Sequence, residues 1–473
     1  MSSDLESPAS TAPRAWPDYR AVWRWHFYAG LICTPFVLVL SLTGALYLFK
    51  PQIEAWNDRP YDNLAVTGQP ASAADQVRAA VAAVPDSAPT GYEIPPEPGS
   101  AARVLVRQGS ETIRVYVHPE NLSVLHTVAE NDRFMRILFR LHGELGMGDR
   151  GSNLVELAAS WTIILIVTGL YLWWPRNVSG LGGVLYPRFG KGSRIFWRDL
   201  HAVTGIWISA LALFLLASGL PWAKFWGTYF KSVRQVTGTA VVQQDWTVGS
   251  DRAASARRPA SDDHSGHGHG GGGNRRGGNG GGKPEVPKDL EAFDRIIATV
   301  RPLQLAEPVV IAPPARGSTD WTAKSMAANR PLRVNLVMNG TTGEIVSREN
   351  FQDRHWIDQV VGYGIAAHEG QLFGWPNQLL GLLTAAGLVM LCVSGLILWW
   401  RRRDAGILGA PKVLMTPRLS ASILAIVILL GIYLPLFGLS LVGVLLIERI
   451  LLCRVEPVRH WLGLRPPAGR LAT

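Results

Sequence analysis

Four stretches of the chain run for the length of a membrane crossing without a single Asp, Glu, Lys or Arg: 27–49, 157–174, 202–223 and 371–400. A helix needs roughly 20 residues to cross a hydrocarbon core of about 30 Å, so each stretch predicts one span. A fifth uncharged run, 419–447, is longer and contains Pro435. Composition agrees. With 48% hydrophobic residues, 17% charged and 18 Trp, the chain carries little charge and much Trp for a soluble protein.

Lys and Arg beside the spans set the orientation. Arg176, Arg188, Lys191, Arg194 and Arg198 lie between the second and third spans. Arg401, Arg402 and Arg403 follow the fourth, and Lys412 and Arg418 precede the fifth. Both segments read as cytoplasmic, as does the N-terminus with Arg14, Arg20 and Arg24. These flanks account for part of the net charge of +10, so no nucleic-acid partner is read from it. The first span lacks a small-residue cleavage site and reads as a retained anchor. The expected organisation begins with a cytoplasmic N-terminus (1–25), a first span (26–50), an outer segment (51–141), a histidine segment with the second span (142–175) and a cytoplasmic loop (176–200). A third span (201–223) and a second outer segment (224–367) follow, then a histidine segment with the fourth span (368–400) and a cytoplasmic loop (401–418). The fifth span (419–447) is expected as one long helix kinked at Pro435, with a tail at 448–473. That puts the tail outside, against the positive charge of Arg449, Arg454 and Arg459.

The chain repeats itself. His26 is followed by Gly30 and Gly44, and His201 by Gly205 and Gly219, at offsets of +4 and +18 in both; Thr43 matches Ser218. His142 precedes Thr168-Gly169 and Trp173-Trp174, and His368 precedes Ser394-Gly395 and Trp399-Trp400, at +26, +27, +31 and +32 in both. Each half is therefore span, outer segment, span, an internal duplication. In the outer segments, "AADQVRAAVAAV" and "LEAFDRIIATV" read as amphipathic helices. Alternating runs such as "RVLVRQGSETIRVYVHPENLSVLHTV" and "LRVNLVMNGTTGEIVSREN" read as hairpins. A helix on a small antiparallel sheet is expected in each. The Gly/His tract at 250–285 reads as a disordered insert.

His26 and His201 begin spans that leave the cytoplasm. His142 and His368 precede spans that enter from outside. The four thus fall into an inner pair (His26, His201) and an outer pair (His142, His368). Pseudo-twofold symmetry would bring each pair together in a four-helix bundle, where two facing imidazoles can take the axial positions of a haem iron. Gly30, Gly205, Gly143 and Gly370 would let a flat macrocycle approach the backbone. Taken alone, a histidine at a membrane interface is ordinarily an amphipathic anchor, such glycines are helix contacts, and Trp pairs are interfacial belts. Only the repetition favours ligands. Glu144 and Glu369 could tune the outer site or take a proton, though an interfacial carboxylate facing water explains each as well. His118, His126, His355 and His460 have no repeat counterpart and read as structural or surface residues. Cys33 and Cys392 lie within spans and Cys453 near the C-terminus, in no metal or disulfide spacing.

The repeated "H…G…[ST]G" and "HG/HEG…[ST]GLxLWWxR" patterns, with the closing "YLPLFGLSLVGVLLIERILL", resemble the PepSY-associated transmembrane family, iron-regulated inner-membrane proteins that include siderophore reductases. The resemblance covers nearly the whole chain. It implies a mainly α membrane protein: a duplicated four-helix transmembrane bundle plus a C-terminal span, with two periplasmic α+β PepSY-like domains. It also implies two haem b groups, held by His26 with His201 and by His142 with His368, and electron delivery to ferric iron in a periplasmic siderophore. No flavin or dinucleotide fingerprint occurs, so the donor would be a quinol or a separate cytoplasmic reductase. Two other classes compete: a non-redox PepSY-type regulatory or binding protein, and a metal-uptake transporter, suggested by His264, His267 and His269. That cluster lacks ligand spacing and supports weak metal buffering at most. A transporter should also show ionisable residues deep in its spans.

Overall fold

The computed structural model describes residues 19–176, 180–239, 286–315, 318–411 and 421–464. The Gly/His insert expected at 250–285, with its three histidines, lies outside the described residues, as do Arg14, Lys412 and Arg418. In chain order the helices of the first half are α1 (Tyr19–Tyr47), α2 (Lys50–Asp58), α3 (Ala73–Ala83), α4 (Phe134–Glu144) and α5 (Asp149–Trp173). The second half has α6 (Ser193–Gly219), α7 (Lys224–Val236), α8 (Ala292–Val300), α9 (Trp356–His368) and α10 (Trp375–Arg402). After these come α11 (Ala421–Tyr433), α12 (Pro435–Ile447) and α13 (Glu456–Leu462). Strands β1 (Ser87–Glu93), β2 (Ala102–Gln108), β3 (Glu111–Val117) and β4 (Val124–Ala129) belong to the first half. Strands β5 (Val309–Ala312), β6 (Asp320–Ser325), β7 (Val334–Asn339) and β8 (Ile345–Asn350) belong to the second. Five described helices are long and apolar enough to cross a membrane: α1, α5, α6, α10 and a segment over Pro435–Leu452.

The chain forms two compact units, and α1, α5, α6 and α10 contribute a segment to each. The unit of residues 40–155 and 217–385 holds all the strands. Instead of two separate small domains, the strands form a single eight-stranded antiparallel sheet, ordered β4-β3-β2-β1-β5-β6-β7-β8. Each half supplies a four-stranded meander. The two join through β1 and β5, where Tyr92 pairs with Ile311 and Glu93 with Val310. Apart, each meander would expose β1 or β5 as an unpaired edge, a liability that the junction removes. The core is shared too. Val77 and Ala80 of α3 and Phe293 and Ile296 of α8 are fully buried with Val104, Val115, Ile311, Leu336 and Met338. The Phe293 ring lies between Tyr92 and Trp321, at centroid distances of 5.9 and 4.8 Å. The Asp294 carboxylate of α8 accepts from the backbone N–H groups of Ala73 (2.7 Å) and Ala74 (3.1 Å), so one half caps the helix N-terminus of the other.

On the sheet's other face Arg103 and Arg114 are buried among carboxylates. Arg103 donates to Asp62 at 2.7 Å and Arg114 to Glu93 at 2.7 Å and Glu130 at 2.5 Å. The Tyr116 hydroxyl donates to Asp58 at 2.9 Å, and burial, then the Asp58 charge, push its phenol well above the usual range. This network ties the end of α2 to the strands.

In the other unit, the C-terminal run is not one kinked span. The helix breaks at Leu434 (φ −118°, ψ 79°) and the chain folds back. A Cβ on Gly438 would lie 3.0 Å from the Gly431 Cα, whereas seven residues of continuous helix would rise about 10 Å. Pro435, which has no N–H to continue the ladder, begins the second arm. Trp161 of α5 holds this hairpin, donating to Ser440 Oγ at 3.0 Å and packing edge-on against Phe437. Beyond it, the Leu462 carbonyl accepts from Tyr28 (2.5 Å), and Leu408 N–H donates to the Trp461 carbonyl (2.9 Å). The C-terminal helix α13 therefore docks beside the start of α1 and the loop after α10. That places the tail on the side of the N-terminus rather than opposite it.

Candidate functional site: two histidine pairs

Each of the four repeated histidines is held in the same way, by a hydroxyl on its Nδ1 and a glycine under its ring. His26, two turns into α1, has Nδ1 3.0 Å from Thr168 Oγ1 of α5. His142, near the end of α4, has Nδ1 2.9 Å from Thr43 Oγ1 of α1. In the second half, His201 meets Ser394 Oγ at 3.0 Å and His368 meets Ser218 Oγ at 3.0 Å. The next residue along is glycine every time. An added Cβ would lie 3.2 Å from His26 Cε1 at Gly169 and 3.1 Å from His142 Cε1 at Gly44. At Gly395 and Gly219 it would lie 3.4 Å from the Cε1 of His201 and His368. At Gly169 and Gly44 a side chain would press on the ring, whereas at Gly395 and Gly219 it would make an ordinary contact.

The hydroxyls fix the tautomer. Thr168 donates its proton to the Ile164 carbonyl (2.7 Å) and Ser394 to the Met390 carbonyl (2.7 Å), so each oxygen can only accept from the imidazole. His201 Nδ1 also lies 3.2 Å from the Leu391 carbonyl, again an acceptor. At His26 and His201, Nδ1 therefore carries the hydrogen, and Nε2 keeps the lone pair with which a histidine binds a metal. At His142, burial and then the neighbouring His368 hold the pKa down at about 4, so the ring is neutral at neutral pH, as a metal ligand must be.

The structure brings together the expected pairs. The His26 and His201 rings have centroids 6.4 Å apart and planes at 86°; for His142 and His368 the values are 6.5 Å and 77°. Two imidazoles joined by one hydrogen bond would sit closer, about 5 Å centre to centre. An iron atom with bonds of about 2 Å to a nitrogen on each side, itself about 1.1 Å from its ring centre, needs about 6.2 Å. Among the described residues there is no group of three or more His, Cys, Asp or Glu side chains that could hold a metal ion. A two-imidazole set suits a metal whose other ligands arrive with it, as haem iron arrives with four pyrrole nitrogens. The residues present fit that group at both sites.

Other expectations fare differently. Gly30 and Gly205 serve helix packing, facing Leu165 and Leu391 at 3.7 and 3.8 Å, while Gly370 (φ +74°) is needed for its turn. Neither Glu144 nor Glu369 hydrogen-bonds a histidine through its carboxylate. The Trp pairs divide their roles: Trp173 donates to the Val184 carbonyl (3.0 Å) and Trp399 to the Leu408 carbonyl (2.8 Å), pinning the loop after each span, while Trp174 and Trp400 are exposed. The spans also contain more charge than their uncharged cores suggest. Glu156 of α5 is buried, and Asp199 of α6 is buried beneath Arg188 and Arg198. His126, with no repeat counterpart, stacks on Tyr61 in the sheet unit, as a surface residue would.

The fold and these pairs define a multi-span membrane protein with two bis-histidine sites built by an internal duplication. The chain belongs to the family described by the PepSY-associated TM region, whose model matches residues 23–402. No curated protein shows a significant match to it.

Proposed function

We propose that the chain is a di-haem b reductase of the bacterial inner membrane that passes electrons outward to ferric iron in periplasmic siderophores and releases Fe(II). The observation that carries this reading is the pair of histidine sites with matching spacing, tautomer control and glycine seats. Bound between each pair, haem would supply a one-electron iron couple. The residues of the chain hold the imidazoles at the spacing and in the tautomer that such a group requires. α1 serves both sites, giving His26 to one and Thr43 to the other, and α6 does the same with His201 and Ser218. Siderophores grip Fe(III) through hard oxygen ligands and Fe(II) poorly, so adding one electron is a route to release. The Lys- and Arg-rich loops support an orientation with the N-terminus in the cytoplasm and the sheet unit in the periplasm, on the side of the substrate. A quinol or a separate cytoplasmic reductase supplies the electrons.

The test is spectroscopic. Purified in detergent, the protein should be red, with a low-spin b-type spectrum and two haems per chain. Acid acetone should extract both, since the chain has no Cys-x-x-Cys-His attachment site. The chemically reduced protein should be reoxidised by a ferric siderophore under anaerobic conditions, with Fe(II) appearing in a ferrous-specific chelator. A folded, colourless preparation would refute the reading.

A further inference from the structure

The duplication continues one helical turn past the His142–His368 site. Tyr47 and Trp222 each lie 21 residues after a repeated histidine (26 + 21 and 201 + 21), and four residues after the hydroxyls of Thr43 and Ser218. Each ring carries a cation over its face. Lys50 Nζ is 5.8 Å from the Tyr47 centroid, and the Arg330 guanidinium is 5.8 Å from that of Trp222. Trp222 in turn packs edge-on against His368, with centroids 5.9 Å apart. Lys50 pairs with no carboxylate among the described residues. The Trp222 Nε1–H is buried and has no hydrogen-bond acceptor. Arg330 is only 5% exposed and opens the short helical turn between β6 and β7. The site is thus bordered on one side by two cations and an unused N–H donor, one cation from each half of the duplication. Such an arrangement favours an anion with two negative groups, one for each cation.

Resting on the di-haem reading, we propose that Lys50 and Arg330 bind the two propionates of the haem between His142 and His368, with Trp222 Nε1 donating to one of them. The macrocycle then turns its carboxylate edge away from the spans and toward the β6–β7 connection. The two propionates lie on one edge of the porphyrin and are exchanged by the twofold axis that exchanges its axial ligands, so one cation from each half meets each. This makes the sheet-facing edge the exit for electrons. It also lets two cations stabilise the reduced iron, which carries one positive charge less than the oxidised iron.

The experiment is a redox titration of full-length purified protein, followed optically, on Lys50→Gln, Arg330→Gln, the double variant and Trp222→Phe. The haem lost in His368→Ala identifies the couple to follow. At a fixed applied potential, each Gln variant should lower the Fe(II):Fe(III) ratio of that haem by roughly three- to tenfold, tenfold being about 59 mV for a one-electron couple. The double variant should lower it further, Trp222→Phe should act in the same direction by less, and the other haem should stay put. Lys50→Arg and Arg330→Lys keep the charge and should keep the wild-type ratio, which separates charge from packing. An unmoved couple in the double variant overturns the proposal, as does a shift of equal size in the charge-keeping variants. Wild-type protein without haem would instead remove the reading on which the proposal rests.

Discussion

Alanine at Gly44 or Gly169, the two glycines packed most tightly under a histidine, should weaken haem binding at one site while leaving the fold and the other site intact. The magnitude follows from opposing terms. Carbon atoms rest at about 3.5–4.0 Å. A Cβ at Gly44 would sit 3.1 Å from His142 Cε1 and one at Gly169 3.2 Å from His26 Cε1, so the rings must retreat by about 0.3–0.4 Å. At Gly219 and Gly395 the distance is 3.4 Å, an ordinary contact that asks for no retreat. Overpacking of this kind costs about 1–3 kcal/mol, while Gly→Ala inside a helix returns about 0.5–1 kcal/mol. Thermal stability of the haem-free protein should therefore fall by no more than about 2.5 kcal/mol at Gly44 and Gly169 and stay near wild type at the other two.

Haem binding is less forgiving, because a retreating ring lengthens an iron bond or breaks the Nδ1 hydrogen bond. Loss of such a support typically weakens metal binding about 10- to 100-fold, or about 1.4–2.8 kcal/mol. The assay is haem-to-protein ratio by absorbance, with the rate of haem loss to a scavenger. Gly44→Ala and Gly169→Ala should lose one haem each, from different sites, and lose it faster than Gly219→Ala or Gly395→Ala. Full occupancy with unchanged loss rates in Gly44→Ala and Gly169→Ala would show that the rings are not seated against an iron.

Two further outcomes test the roles of the sites. His142→Ala or His368→Ala should remove one haem and stop electrons reaching an external ferric chelate, while the other haem is still reduced by a cytoplasmic-side donor. His26→Ala or His201→Ala should do the reverse, and loss of both haems from a stable single variant would refute two independent sites. Single cysteines introduced at Arg188 and Asp404 should react only with reagents that reach the cytoplasm, and one at Thr341 with an impermeant reagent outside; the opposite pattern would exchange the roles of the two pairs.

Much of this architecture is legible in the sequence because duplication leaves equal offsets behind. Four histidines with matched neighbours, on opposite sides of uncharged runs, are enough to pair His26 with His201 and His142 with His368. The same offsets contain Thr43, Thr168, Ser218 and Ser394, but their purpose is not local. Thr168 serves a histidine 142 residues earlier, and only tertiary packing shows that the small residues that matter are those after the hydroxyls and not those at +4. The sheet was hidden for a different reason. β1, "SAPTGYE", carries Pro and Gly, and β5, "VVIA", is four residues long. Neither shows polar/apolar alternation in sequence: β1 is central and buried on both faces, and β5 is apolar throughout although only alternate residues are buried. The break at Leu434 was masked by composition, because a uniformly apolar run reads alike whether it continues or folds back.

The pattern of contacts also says what holds the two halves together. Every histidine takes its hydroxyl and its glycine from its own half: His26 from Thr168-Gly169, His142 from Thr43-Gly44, His201 from Ser394-Gly395 and His368 from Ser218-Gly219. Each half therefore presents two oriented imidazoles unaided. What neither half can do alone is supply the second imidazole at either site, so an iron bound there would bridge the halves through its ligands. The sheet repeats this logic without a cofactor: β1 pairs with β5 at its edge, and Asp294 of α8 adds to the Ser72 cap of α3 by accepting from the first two N–H groups of that helix. A gene duplication of a span–meander–span unit would have produced, at each of these places, a surface complementary to its own copy. Electron transfer in the proposed sense would depend on that complementarity, because the histidines are paired only where one copy faces the other.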